Sequence, residues 1–225
     1  MNASKTAPPP TWPMVRTLAV VYVLAGLMIV FAVRQTTGRI ADNRHKRLEQ
    51  AILRVVPGAF SRVTFQVVED RLVVLEGGTP AEAEVVYATY SEDGSLAGIA
   101  IPAAGQGYAD KIQILYAYDP QRQAIVGMTV LASKETPGLG DRIASEPEYL
   151  ANFVTLDVTL VEDGSRLAHP VEFVKSGSKI NDWQVDGISG ATISSRAVAD
   201  MINKSAGRLL PVLVANREVL ENGGK

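Results

Sequence analysis

Cysteine is absent from the 225 residues, and histidine occurs only twice, at His45 and His169. Disulfides and thiolate-held iron–sulfur clusters are therefore excluded, and no His/Cys spacing suits a zinc or haem site. A basic excess is missing as well. The 22 Lys and Arg are set against 24 Asp and Glu, which leaves no electrostatic footprint for nucleic acid. No Gly-x-Gly-x-x-Gly run is present, so direct oxidation of a nicotinamide dinucleotide by this chain is not expected. No serine pairs with a histidine and an acid as a hydrolase would require. If this chain moves electrons, the carrier must be organic.

Charge is also missing from one long stretch. Thr17 to Val33 holds no ionisable acid or base and is bracketed by Arg16 and Arg34. As a helix it would extend roughly 26 Å, slightly short of a ~30 Å hydrocarbon core, and snorkelling of the two arginines closes the difference. No small-x-small cleavage site follows it, which favours a retained single-pass anchor over a cleaved signal peptide. The expected organisation is a Pro-rich unfolded leader (1–14), a transmembrane helix (15–35), a linker helix (36–57) and one folded domain (58–225). In the linker, Leu48, Ala51, Ile52, Val55 and Val56 keep helical spacing until Pro57-Gly58. Its cationic residues Arg39, Arg44, Lys46 and Arg47 form a face for solvent or lipid headgroups. Counted with Arg34 against Lys5 and Arg16, they would keep the large C-terminal part in the cytoplasm by the positive-inside rule.

Beyond Gly58 the hydrophobic period changes to two. Residues 63–68 and 71–75 flank Glu69-Asp70 as in a tight hairpin, and 85–90 and 96–101 flank the turn Glu92-Asp93-Gly94. Ile112, Ile114, Tyr116 and Tyr118 alternate with more polar residues, Ile125 to Leu131 form an apolar run, and 172–175 add a short last strand. Hairpins in series with helices near both ends predict an α+β domain on a mainly antiparallel sheet. A final helix begins near Ala197, since Val198, Met201, Ile202 and Leu209 recur at its spacing. Pro211 is expected to bend or stop it near Leu210, with 212–220 resuming as a short helix.

The run Asp186-Gly-Ile-Ser-Gly-Ala-Thr-Ile-Ser-Ser195 leads directly into that helix. Ser194 or Ser195 suits an N-cap, and Thr192 then lies where free amides and the helix dipole favour an anion. Two readings follow from the residues alone, an ordinary capped helix and a phosphate site. A second ordered turn, Lys134-Glu-Thr-Pro-Gly-Leu-Gly-Asp141, follows the Ile125–Leu131 run, and Gly105-Gln-Gly-Tyr108 precedes the alternating strand. Lys175 would balance a negative charge or merely end a strand. Trp183 is read as a half-buried structural residue, and neither histidine has a catalytic setting.

Asp186, Ser189, Gly190, Ala191 and Thr192, followed by Ser194-Ser195, resemble the flavinylation motif of the FMN-binding domain family. That family includes the G subunit of Rnf-type ion-translocating electron transport complexes and the C subunit of the sodium-pumping NADH:quinone oxidoreductase. The resemblance implies FMN joined to Thr192 by a phosphoester bond, made by a flavin transferase that uses FAD. It also implies that Glu135, Thr136, Gly138, Leu139 and Gly140 lie beside the flavin ring. The function so implied is electron relay as one member of a translocase, alongside the other membrane subunits of the complex. The placement implied is the inner membrane with the flavin domain on the periplasmic side, against the charge rule. Length favours the G subunit. The C subunit and a stand-alone membrane-anchored flavoprotein or sensor are the alternatives.

Overall fold

The computed structural model describes residues 11–75 and 83–223, without the side chains of 11, 37–42, 44 and 45. The leader's first ten residues and the side chains of Arg39, Arg44 and His45 thus lie outside the described residues. The chain divides between Arg47 and Leu48 into two compact units.

The expected leader end, span and linker are one continuous helix, α1 (Thr11–Val55), whose residues from Leu48 onward belong to the second unit. Pro13 sits in its opening turn, where a missing N–H breaks no intrahelical bond. Trp12–Thr36, 25 residues, is long and apolar enough to cross a membrane. At about 37 Å it exceeds the ~30 Å core that Thr17–Val33 alone falls short of. The Thr17 and Thr36 hydroxyls donate to the Pro13 and Ala32 carbonyls at 2.8 and 2.6 Å, so neither presents a bare donor to an apolar medium.

In the second unit seven antiparallel strands form one sheet in the order β2-β1-β3-β4-β5-β6-β7. The strands are β1 (Ser61–Val68), β2 (Arg71–Val74), β3 (Val85–Tyr90), β4 (Leu96–Gln106), β5 (Lys111–Asp119), β6 (Ala124–Ala132) and β7 (Leu156–Asp157). The β1–β2 turn is the expected two-residue one, with positive φ at Glu69 and Asp70 as a primed hairpin turn demands. Period-two alternation puts Ile112, Ile114, Tyr116 and Tyr118 of β5 into one core and Leu115 and Ala117 into another. The last long helix, α3 (Thr192–Ala215), covers the first face with Val198, Met201, Ile202, Leu209 and Leu210. The second face is covered by Ala51, Ile52 and Val55 at the end of α1 and by Val56 just after it. These residues are core, where their spacing alone assigned them to a linker. Gly127 permits the approach, because a Cβ there would lie 2.7 Å from the Val55 carbonyl oxygen.

Between β6 and β7 the chain makes a 3-10 turn (Gly140–Ala144) and a short helix, α2 (Pro147–Ala151). β8 (Glu172–Val174) pairs in parallel with β9 (Gln184–Asp186), apart from the main sheet. Pro211 does not end α3. The helix runs through it to Ala215, and α4 (Arg217–Glu221) follows. A helix-interior proline costs roughly 3 kcal/mol, whereas burial of Leu209, Leu210, Val212 and Leu213 contributes about 1.5–3 kcal/mol each. Tertiary packing wins.

Candidate functional site

The site grows from the loop between β9 and α3. Gly187 lies so close to Phe173 that a Cβ would come within 2.5 Å of its ring. Gly190 takes φ +87, a conformation that side chains rarely adopt. Between them the Ala191 amide donates to the Ile188 carbonyl at 3.0 Å, folding the loop into a tight turn. α3 therefore starts at Thr192, several residues before the expected start, with Ala191 as its cap and no side-chain capping bond. Ser194 and Ser195 are inside the first turn and serve other partners. The Ser195 hydroxyl accepts from the Ile188 amide at 3.2 Å, and the Ser194 hydroxyl donates to Glu135 Oε2 at 2.6 Å. The first helical bond runs from the Ser195 amide to the Ala191 carbonyl. The amides of Thr192, Ile193 and Ser194 precede it, and such amides with the helix dipole attract anions.

A groove of ≈ 340 Å³ opens over this turn, lined by Tyr108, Thr136, Leu139 and residues 190–194. That volume is in the range of small-molecule sites, roughly 300–1,000 Å³. Tyr108, Leu139 and Ile193 leave 68%, 51% and 54% of their surface exposed, an aromatic and aliphatic rim open to solvent. Thr192 lies exposed among the lining residues. A planar ring over the apolar rim and a phosphoryl group at the helix start both fit this arrangement.

Of the residues singled out from sequence, Thr136, Leu139, Gly190, Ala191 and Thr192 meet in the groove. Gly138 (φ +75) turns the loop that carries Leu139. Gly140 packs where a Cβ would strike Glu135 and approach Ser194 Oγ at 2.7 Å. Glu135 is 6% exposed and is spent internally, its oxygens accepting from Ser194 and from the Ala109 amide. Asp186 and Ser189 face a separate cleft of ≈ 110 Å³ with Arg142, Glu146 and Tyr149. There the Asp186 carboxylate accepts from the amides of Gly177 and Ser178, and Arg142 donates to the Ser189 carbonyl at 3.1 Å. Lys175 is exposed in the turn after β8 and lines neither space. Trp183 stacks on His169 at 3.9 Å, away from the groove lining.

Sequence reasoning missed Ile193 as a lining residue and gave Tyr108 no role. It also missed Asn152, whose amide side chain holds both the N–H and the C=O of Asp186 at 3.0 Å. Nothing in the spacing marks Asn152. Ile193 directly after Thr192, at the helix start, was the available signal.

Fold and groove define an α+β domain, preceded by a long apolar helix, with room for a phosphorylated planar ligand at a helix start. Residues 107–207 match the FMN-binding domain family. The chain is 30% identical over 206 residues to the G subunit of the ion-translocating oxidoreductase complex of Pseudomonas aeruginosa strain UCBPP-PA14, covering 88% of this chain and 87% of that one. It is 31% identical over 119 residues to the C subunit of the Na(+)-translocating NADH-quinone reductase of Vibrio vulnificus strain YJ016, covering 52% of this chain and 44% of that one. The crystal structure of the C subunit of the Na(+)-translocating NADH-quinone reductase from Parabacteroides distasonis superposes with a TM-score of 0.61 at 23% identity, over 79% of this chain and 96% of that one. The chain belongs to the FMN-binding domain family.

Proposed function

We propose that the chain is the G subunit of an Rnf-type complex and that Thr192 bears its FMN through a phosphoester bond. It is a single-pass membrane protein and an FMN-binding electron-transfer component of an ion-translocating oxidoreductase. The match across 87% of a G subunit, against 44% of a C subunit, supports the G assignment. The observation that carries the attachment is the placement of Thr192, exposed as the first residue of α3 and within the aromatic-lined groove.

When bound, FMN supplies one- and two-electron carriage, and the protein's part is to hold and tune it. Thr192 would supply the oxygen that takes the FMN phosphoryl group from FAD as the pyrophosphate bond breaks, its proton leaving with AMP. The opening amides of α3 and the helix dipole would stabilise the charge on the phosphodiester. Tyr108, Leu139, Ile193 and Thr136 would line the space for a planar ring, the first three keeping water from it and Thr136 offering a hydroxyl. A covalent bond keeps the site filled where free FMN is scarce, since noncovalent occupancy falls once concentration drops below the dissociation constant. That advantage is largest outside the cytoplasm, the side on which we place the domain.

Intact mass after co-expression with a flavin transferase tests the reading. Wild type is expected to gain one FMN less one water, and Thr192→Val to gain nothing. An unmodified wild type overturns the attachment. Co-purification with membrane subunits in mild detergent tests the complex.

A further inference from the structure

Among the described residues, Glu135 is the buried carboxylate at the groove, and three separated segments are built around it. Oε2 accepts from Ser194 of α3 at 2.6 Å, and Oε1 accepts from the Ala109 amide of the β4–β5 turn at 3.0 Å. Its own amide donates to Ser133 Oγ at 3.1 Å. Gly107 and Gly140 press against the same side chain, and a Cβ at either would collide with a carboxylate oxygen. Both neighbours on the groove side, Thr136 and Ser194, line the proposed cofactor space. None of the ion pairs among the described residues includes Glu135. The adjacent Lys134 instead points outward to Asp110 at 2.7 Å. Two acceptor oxygens with donor partners and no cation leave a negative charge in a poorly screened position directly behind the groove.

We infer that Glu135 is a positioning and potential-setting residue: it ties the first turn of Thr192's helix to both ring-side loops, and its charge opposes electron uptake in the groove. This rests on the reading that Thr192 bears FMN. Reduction adds electrons to the ring, and a nearby buried anion makes that less favourable. The reduction potential is therefore held lower than the same groove without the charge would give.

The test uses full-length chain flavinylated by the transferase, with wild type, Glu135→Gln and Ser194→Ala compared. Glutamine is isosteric, its carbonyl accepting from Ala109 and its NH₂ donating to Ser194, so geometry is kept and the charge is removed. Glu135→Gln is expected to take up FMN as wild type does, by intact mass, with an unchanged thermal midpoint and a more positive reduction potential by spectroelectrochemical titration. Ser194→Ala keeps the charge and is expected to leave the potential at or below the wild-type value. An unshifted or more negative potential in Glu135→Gln overturns the inference, as does loss of its flavin or fold, and as does an equal positive shift in Ser194→Ala. A wild type without the FMN increment overturns the attachment itself, a different result.

Discussion

At the scale of single residues, the loop before α3 is held by side chains far away in sequence. Asn152 is 5% exposed and clamps the backbone of Asp186 from both sides, while its Nδ2 also reaches the Tyr149 carbonyl at 2.9 Å. Asn152→Ala strands the Asp186 amide and carbonyl, and each unpaired buried group costs about 1–3 kcal/mol. The expected loss is about 2–4 kcal/mol in urea unfolding, with slower flavinylation as the turn presenting Thr192 loosens. The motif residues themselves were legible because glycine, alanine and threonine at fixed spacing carry a local geometric requirement. Asn152 was not legible, since a buried asparagine has no periodic signature. The two serines following the motif misled for a related reason: a hydroxyl near a helix start suggests a cap, but here both hydroxyls are drawn to other partners.

At the scale of elements, periodicity read the strands of the main sheet well and failed where packing overrides local preference. β7 and β9 are too short, at two and three residues, to show alternation. Pro211 is the sharper case. Its ring removes one donor from α3, yet Leu209, Leu210 and Leu213 on either side are at most 2% exposed and keep the helix on the sheet. Pro211→Ala restores the missing amide without disturbing that face. The expected result is a gain of about 1–3 kcal/mol, read as a higher urea midpoint at unchanged slope.

At the scale of the whole molecule, the folded domain buries four tyrosines that sense alkaline pH. Burial pushes the Tyr118 phenol up to about 12 and raises those of Tyr90, Tyr116 and Tyr149 as well. An unfolded tyrosine ionises near ~10. Above that pH the unfolded chain releases protons that the folded chain still holds, so stability falls as pH rises through ~10 toward and past the folded value. Below about pH 10 these groups leave stability unchanged. Chemical denaturation between about pH 8 and 12 is expected to show this decline. Tyr118→Phe should flatten part of it at no cost near neutrality, because that buried hydroxyl has no hydrogen-bond partner among the described residues. Topology belongs to this scale too. Protease added to intact spheroplasts is expected to digest the domain beyond Gly58, and protection would instead place it on the side that the flanking arginines and lysines favour.

The sequence by itself determined the chemistry on offer: no thiol or metal ligand set, one long uncharged helix, strands of period two, and a threonine behind Ser-Gly-Ala at a helix start. Each of these is a local property, carried by composition or by spacing between near neighbours. Only the tertiary structure decided that the end of α1 is part of the core, that α3 outlasts its proline, and that Glu135 faces inward while Tyr108, Leu139 and Ile193 face the groove. These depend on which surfaces lose water when segments distant in the chain meet, and no window of neighbouring residues contains that information.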